Sequence, residues 1–181
     1  VSMSTSTSPV KGKVGQGLKF DGVDDYVNIG TGVPMASSTD LTISAWVYPR
    51  SWGGGSTPNV GRIIVNSTAG FRIDITGVRL DYTDNGFNNQ IVSDTNSISL
   101  NKWTHVVLTR NSAHLGNFYV NSQLSGTANQ SVTANSTNPA TTYIGNSIAK
   151  LSPFNGIIDD VRVYNRILSA TEIKQLYNMG R

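Results

Sequence analysis

Short hydrophobic runs recur along this chain, and within many of them apolar and polar residues alternate. Gly, Asn, Asp and Ser separate one run from the next. A period of two is typical of β-strands that bury one face, and the separating residues are typical of turns. So many short strands at this spacing predict an all-β sandwich or barrel. The eleven predicted strands are Leu18–Phe20, Tyr26–Ile29, Leu41–Tyr48, Arg62–Asn66, Phe71–Thr76, Val78–Thr83, Gln90–Val92, Trp103–Arg110, Phe118–Asn121, Thr142–Ile144 and Ile157–Tyr164.

One predicted hairpin is specific enough for its residues to be paired individually. A two-residue turn at Thr76 and Gly77 sorts apolar pairs onto one face and opposite charges onto the other. Two interpretations of the charged face stay open: a ladder that faces solvent, or the floor of a groove in which Arg72, Arg79 and Asp81 bind a ligand. The apolar pairs are Ile75 with Val78, Ile73 with Leu80 and Phe71 with Tyr82, and the charged pairs are Asp74 with Arg79 and Arg72 with Asp81.

The C-terminal region carries the clearest helix signal. Ser169 and Glu172 have the spacing of a capping box, in which the Ser hydroxyl accepts from a helical N–H and the Glu carboxylate reaches back to the cap. Ile173, Leu176 and Tyr177 then form an apolar stripe. The stripe predicts one short C-terminal helix that packs on a sheet as a structural clasp.

The first residues differ in composition from the rest of the chain. Residues 1–11 are rich in Ser and Thr and lack the apolar stretch of a signal peptide. We expect these residues to form a linker. The remaining stretch, residues 12–181, has the size of one domain.

Composition excludes several classes of function. The chain has no cysteine, which rules out thiol catalysis and disulfide scaffolds. Its 14 Lys and Arg residues are dispersed among 11 acidic residues, so the net charge of +3 forms no basic block and we expect no nucleic-acid partner. No apolar run is long enough to insert in a membrane. All but one of the acidic residues are Asp, a carboxylate that favours turns and oxygen-rich metal sites.

Five segments, in order along the chain, carry a resemblance to a known family. They are Val14–Val27 (VGQGLKFDGVDDYV), Leu41–Val47 (LTISAWV), Trp103–Thr109 (WTHVVLT), Phe118–Leu124 (FYVNSQL) and Phe154–Ser169 (FNGIIDDVRVYNRILS). Together they resemble the laminin G-like, or pentraxin-like, domains of the concanavalin A-like lectin/glucanase superfamily. The sequence departs from the family pattern at Ser122, where the hairpin usually has Gly.

This resemblance implies a jelly roll, in which two antiparallel sheets pack as a sandwich and the first and last strands are adjacent. Such domains are typically appended to secreted or cell-surface proteins, including bacterial ones, and most bind glycans or protein partners. Many hold a calcium ion. We therefore expect a module of a larger secreted or cell-surface bacterial protein with calcium as its cofactor.

Two acidic clusters are candidates for binding that calcium. Asp21, Asp24 and Asp25 crowd one Gly-containing turn, and the adjacency of the end strands implied by the resemblance brings Asp159 and Asp160 near them. Calcium prefers six to eight oxygen ligands. Because Asp159 and Asp160 point to opposite faces of a strand, only one of them is expected to be a ligand. The expected ligand set is Asp21, Asp24 and Asp159, and the alternative is that these carboxylates cap turns.

Sugar binding needs exposed aromatic rings beside groups that hydrogen-bond hydroxyls. Trp52 is one candidate, because its loop (RSWGGGS) is too rich in Gly to bury a large ring easily. A second loop offers Phe87 as a platform, with Asn88 and Asn89 as donors and acceptors. The alternative is that Trp52 folds over the sheet edge and the amides only satisfy turns.

The arrangement of carboxylates argues against an enzyme. Glycoside hydrolysis generally uses two carboxylates that face one cleft, whereas no predicted strand here has alternating acids and the sole Glu lies in the capping box. The sequence therefore predicts a noncatalytic, lectin-like module that binds a polysaccharide or glycan. The alternatives are an adhesion domain that binds a protein receptor or a neighbouring domain of the parent chain, and a polysaccharide-degrading enzyme.

Overall fold

A computed structural model of the chain describes residues 2–3, 8–35, 39–54, 60–67, 69–74, 78–84, 89–131, 140–146, 149 and 151–181. Structural statements below refer to these residues. They are mostly extended, and a single short helix lies near the C-terminus of the part described.

In the described ranges, fourteen strands form two antiparallel sheets of seven strands each. In spatial order, the first sheet contains β1 (Ser2–Met3), β4 (Val27–Gly30), β13 (Thr142–Ile144), β6 (Val60–Val65), β7 (Gly70–Asp74), β8 (Arg79–Asp84) and β9 (Asn89–Val92). The second sheet contains β12 (Gln123–Ser131), β11 (Leu115–Val120), β10 (Thr104–Arg110), β5 (Leu41–Pro49), β14 (Asn155–Tyr164), β3 (Gln16–Asp21) and β2 (Ser8–Lys11). The two sheets form the predicted jelly-roll sandwich.

The core lies between the two sheets. Alternate residues of each strand point inward, so Phe71 of the first sheet meets Phe118 of the second with ring centroids 5.7 Å apart. Phe20, Ile43 and Leu108 are also almost completely buried there. Burying a side chain of this size contributes about 1.5–3 kcal/mol, which makes this layer the main source of stability.

One charged side chain, Arg110, is fully buried among these apolar residues. Its guanidinium donates to the carbonyl oxygens of Met35 (3.1 Å) and Thr39 (3.3 Å) and to the hydroxyl of Tyr82 (3.1 Å). Buried polar groups are tolerated when they are hydrogen-bonded in this way. Arg110 therefore ties the segment around Met35 to both sheets.

All eleven predicted strands coincide with or overlap observed strands. The register predicted for the charged hairpin is also confirmed, because Arg72 lies opposite Asp81 and Asp74 lies opposite Arg79. The turn at Thr76 and Gly77 falls outside the described residues. Strands β1, β2 and β12 were not predicted, since their polar sequences lack a clear apolar alternation.

The expected linker is wrong for the residues described at the N-terminus. β2 pairs with β3 at the edge of the second sheet, and β1 pairs with β4 in the first. Backbone hydrogen bonds to an edge strand do not require apolar side chains, so a Ser/Thr-rich segment can form them. The N-terminal segment therefore contributes a strand to each sheet.

The two ends of the domain meet, as the family resemblance implies. Strand β3 pairs with β14 so that Asp21 lies opposite Asn155 and Leu18 lies opposite Ile158. The predicted helix is α1 (Ala170–Met179), and its capping box between Ser169 and Glu172 is present. α1 covers the outer face of the second sheet, where its apolar residues pack on that sheet; this cluster comprises Val107, Leu168, Ile173 and Leu176.

Candidate functional site

The outer face of the first sheet carries two rows of charged residues. One row joins Asp74 to Arg79, and the next joins Arg62, Arg72 and Asp81 on three neighbouring strands. All five alternate along their strands with residues that face the core, and they therefore point away from it. Asp74, Arg72 and Arg79 are only partly buried.

The middle row is an ion-paired, desolvated cluster. Arg72 Nε lies 2.5 Å from Asp81 Oδ1, and the two side chains are 13% and 0% exposed. Burial raises the pKa of Asp81 to about 6, although the neighbouring charge of Arg72 opposes this shift. Burial, followed by the like charge of Arg72, lowers the pKa of Arg62 to about 10. A ladder that simply faces solvent does not describe this row.

An aromatic pair, not identified from the sequence, lies on the same outer face. Tyr26 and Tyr143 meet edge to face with ring centroids 5.8 Å apart, and both are half-buried. Tyr143 pairs with Asn28 and Val65, and its neighbour Ile144 packs on the core. Since successive strand residues alternate and Ile144 faces the core, Tyr143 points outward.

The loop with Trp52 lies at the end of this face. Trp52 is half-buried and packs partly against the core. Its loop approaches the start of β6 so closely that a Cβ on Gly53 would collide with the carbonyl of Val60. Gly54 N–H donates to the carbonyl of Pro153 over 3.2 Å. These contacts fix Trp52 near the strand that carries Arg62.

The acidic turn lies beside the Trp52 loop. A Cβ on Gly54 would collide with the carbonyl oxygen of Gly22, so the two backbones are in direct contact. In this turn Asp21, Asp24 and Asp25 offer carboxylate oxygens that all lie within 4.8 Å of one another. Two oxygens bound to one calcium at 2.3–2.6 Å can be no more than about 5 Å apart, so this spacing fits a shared cation.

Two of these carboxylates also cap the turn. Asp21 Oδ1 accepts from the N–H of Val23 (2.8 Å), and Asp25 Oδ2 accepts from the N–H of Asp21 (2.8 Å). Asp21 and Asp24 are exposed, whereas Asp25 is 1% exposed. The capping contacts thus orient the carboxylates that would face an ion.

The structure does not bring Asp159 to the acidic turn. Because Asp21 lies opposite Asn155, Asp159 is four strand positions further on, about 13 Å at 3.3 Å per residue. Its carboxylate instead accepts from the N–H groups of Lys13 and Val14 (2.7 Å each) and of Asp160 (2.7 Å). Of the expected set of Asp21, Asp24 and Asp159, the structure brings Asp21 and Asp24 together with Asp25 and leaves Asp159 apart, because the register of the end strands offsets the two clusters.

The second candidate loop is only partly described. Phe87 and Asn88 lie outside the described residues. Asn89 begins β9, where its backbone pairs with that of Asp84.

α1 and its neighbours cover the centre of the second sheet's outer face, and a half-buried pair, Tyr48 and Trp103, lies on the same face with ring centroids 5.5 Å apart. Trp46 is 2% exposed and stacks on Tyr177 of α1 at 5.6 Å, and Lys13 Nζ lies 5.3 Å from the Trp46 ring centre. His105, which is fully buried, lies against the same ring, and its Nε2 is 2.9 Å from Ser44 Oγ. The candidate surface is therefore the first sheet's outer face together with the acidic turn and the Trp52 loop.

Sandwich topology, paired end strands and the capped C-terminal helix define a lectin-like jelly-roll domain. The chain belongs to the Laminin_G_3 family of the concanavalin A-like lectin/glucanases superfamily, which it matches over residues 21–174. No curated protein matches the chain. Among the residues described, no helix has the length and apolar character needed to cross a membrane.

Several solved structures share the fold at low sequence identity. Domain 4 of AbnA, a GH43 extracellular arabinanase from Geobacillus stearothermophilus crystallised with arabinotriose, aligns with a TM-score of 0.74 at 16% identity, covering 96% of this chain and 82% of that one. Botulinum neurotoxin type C aligns with a TM-score of 0.73 at 18% identity, covering 99% and 46%. A Trypanosoma rangeli sialidase aligns with a TM-score of 0.64 at 23% identity, covering 89% and 27%. The chain thus spans less than half of the last two proteins.

Proposed function

We propose that this chain is a noncatalytic carbohydrate-binding module of a larger extracellular protein and that calcium stabilises it. The observation that carries the proposal is the contrast between the two outer faces. α1 covers the centre of the second sheet's outer face, whereas the first sheet presents the Tyr26–Tyr143 pair and two rows of charged side chains on one uncovered face. Aromatic rings pack on the apolar faces of sugars, and charged groups hydrogen-bond their hydroxyls.

The fold of AbnA domain 4, crystallised with arabinotriose, supports a sugar as the ligand class. That domain comes from an extracellular enzyme, which supports an extracellular parent for this chain.

The carboxylates on the charged rows are poorly placed for glycoside hydrolysis. Asp81 is completely buried and ion-paired with Arg72, so it has no free approach to a sugar carbon. Glu172, the sole Glu, is held on the helix side by Arg166 Nη2 at 2.6 Å. A hydrolase would need two carboxylates facing the same bond. Incubation with polysaccharides is therefore expected to release no new reducing ends.

Removing an aromatic platform should weaken glycan binding. We expect Tyr143→Ala and Trp52→Ala each to reduce affinity for a glycan found on a broad array about tenfold, as loss of an anchoring ring costs more than about 1 kcal/mol. Titration calorimetry measures the affinity. Trp52→Phe keeps an aromatic ring in the loop, so it tests how far the packing of Trp52 on the core contributes to the effect. Tyr164→Ala, on the helix-covered sheet, is the matched control and should leave affinity unchanged. An array on which no glycan binds at millimolar concentration would overturn the proposed function.

Calcium is proposed to bind Asp21, Asp24 and Asp25. Three carboxylates within 4.8 Å repel one another, and a divalent cation would relieve that repulsion while joining the turn to its neighbours. The turn contacts the Trp52 loop through Gly22 and Gly54. An ion there would hold that loop against the first sheet.

Calcium should raise the melting temperature. At about 100 times its dissociation constant, a ligand specific for the folded state adds about 2.7 kcal/mol, which corresponds to about 5–10 °C for a chain of this size. Asp24→Asn should abolish this increase, whereas Asp160→Asn, outside the turn, should preserve it. Melting curves within 1 °C of each other in calcium and in chelator would count against the ion.

A further inference from the structure

Two arginines lie directly opposite each other on the first sheet's outer face. Arg62 of β6 and Arg72 of β7 are Cα partners, and like charges in such positions destabilise adjacent strands. Arg62 is only 7% exposed, so solvent screens the repulsion weakly. The charge of Arg72 contributes to lowering the pKa of Arg62. The carboxylate of Asp81 offsets part of this repulsion, so two arginines share one acidic partner in this row.

The charges on this face do not balance. Arg62, Arg72 and Arg79 are matched by two carboxylates, those of Asp74 and Asp81. The ion pair of Arg72 with Asp81 uses one carboxylate within the row. Counted over the residues that the structure describes, this face has an excess of one positive charge, concentrated where the strands bring the arginines together.

Two polar atoms here also lack hydrogen-bond partners among the described residues. Arg79 Nε is buried and has no acceptor, and Asp81 Oδ2 is buried and has no donor. Most buried polar atoms in proteins have a partner, so Arg79 Nε calls for an acceptor such as an anion, and Asp81 Oδ2 calls for a donor such as a sugar hydroxyl. Arg72 and Arg79 are diagonal neighbours on adjacent strands, so their Cα atoms lie about 7–8 Å apart. Both side chains are partly exposed. Arginine side chains that start from such neighbouring positions can reach the same small planar anion.

We propose that this face recognises the carboxylate of an acidic sugar, a uronate or sialate residue of a glycan. Arg72 and Arg79 contact the carboxylate, and Arg62 supplies positive charge from beside them. A guanidinium presents a planar fork of donors that matches a carboxylate, which a neutral sugar lacks. This inference rests on the proposed carbohydrate-binding function and specifies its ligand class.

The test compares acidic and neutral oligosaccharides of matched linkage. The probes are trigalacturonate, a mannuronate trimer and 3′-sialyllactose, each paired with its neutral counterpart, plus one sulfated trisaccharide. In titration calorimetry at low salt, we expect an acidic probe to bind at least tenfold more tightly than its neutral partner. Arg72→Gln should reduce that preference about tenfold or more, and Arg79→Gln should reduce it severalfold. Lys174→Gln removes the same charge from exposed α1 and should change nothing.

The outcomes separate this inference from the proposed function. If neutral sugars bind as tightly as the acidic probes or more tightly, and Arg79→Gln does not change their affinity, the proposal of an acidic ligand is overturned. The proposed carbohydrate-binding function then still stands. Preference for the sulfated probe alone overturns the carboxylate. If no sugar on the array or in the panel binds, the proposed function fails as well. If the Arg72→Gln protein does not fold, the Arg79→Gln variant decides the question, because Arg79 is partly exposed.

Discussion

Asp159→Asn is expected to lower the free energy of unfolding by about 2–4 kcal/mol. The carboxylate of Asp159 is 5% exposed and accepts three backbone N–H groups, from Lys13, Val14 and Asp160. An amide keeps one accepting oxygen and turns its NH₂ group toward an N–H, so one hydrogen bond is lost and the others lose their charge. Urea unfolding measures the change as a lower midpoint at an unchanged m-value.

The adjacent residue provides a matched control. Asp160 accepts from Arg162 Nε at 2.9 Å, and both side chains are partly exposed. Its φ of 49° lies in the left-handed region, which Asn adopts readily. Asp160→Asn should therefore cost less than about 1 kcal/mol, the range of an exposed ion pair. Equal losses for the two variants would contradict the capping role of Asp159.

The same experiment separates a capping carboxylate from a metal ligand. If Asp159 acts only through Lys13, Val14 and Asp160, its substitution should cost the same in chelator as in calcium. A loss seen only with calcium would restore Asp159 to the ligand set. Capping also explains why Asp159 matters although it is far from the acidic turn.

Much of this fold could be predicted from alternation alone. The Arg72–Asp81 and Ile73–Leu80 register was predictable because one register satisfies both faces at once. The N-terminal edge strands were not predictable, because backbone pairing there leaves no apolar signature. Asp159 was misplaced for a related reason: adjacency of two strands was implied correctly, but the offset between their residues was not encoded by any pattern.

The sequence predicted which residue types lie at the candidate site better than it predicted their burial and positions. Arg72, Arg79 and Asp81 share a face as predicted, but burial of Asp81 depends on packing that a strand pattern does not report. The sequence pattern did not place Arg62 on this face, because a register irregularity follows it in β6 and interrupts the alternation. Tyr143 lies in a strand of three residues, too short for a period of two to be noticed.

The second large effect is a dependence of stability on pH that His105 should cause. His105 is fully buried between Trp46 and Tyr177, with ring centroids 5.1 and 6.1 Å away. Burial, and secondarily the positive charge of Arg162, lowers its pKa from 6.5 to about 4. Between these values the unfolded chain binds more protons than the folded one. Stability from this residue is therefore complete above pH 6.5 and is lost as the pH falls through 4, by about 3 kcal/mol in total.

Asp81 should make the stability of the fold depend on pH in the opposite direction, over the same pH range. Its pKa is raised from 3.8 to about 6, chiefly by burial, so the folded chain binds more protons than the unfolded chain between these values. Its contribution is complete below pH 3.8 and is lost as the pH rises through 6, again by up to about 3 kcal/mol. The two dependences offset each other, and the unmodified protein should show little net slope from this pair.

Single variants should expose both slopes. We expect His105→Gln, whose amide can still bond Ser44, to be less stable than the parent at pH 7.5 and to recover about 3 kcal/mol of that difference by pH 4. For Asp81→Asn the difference should run the other way, with the variant gaining relative stability as the pH rises from 4 to 7. Urea unfolding at several pH values measures both, and subtraction from the parent removes the contribution of the other carboxylates. Parallel curves for parent and His105→Gln would show that the imidazole is not held neutral by the packing of α1 on the second sheet.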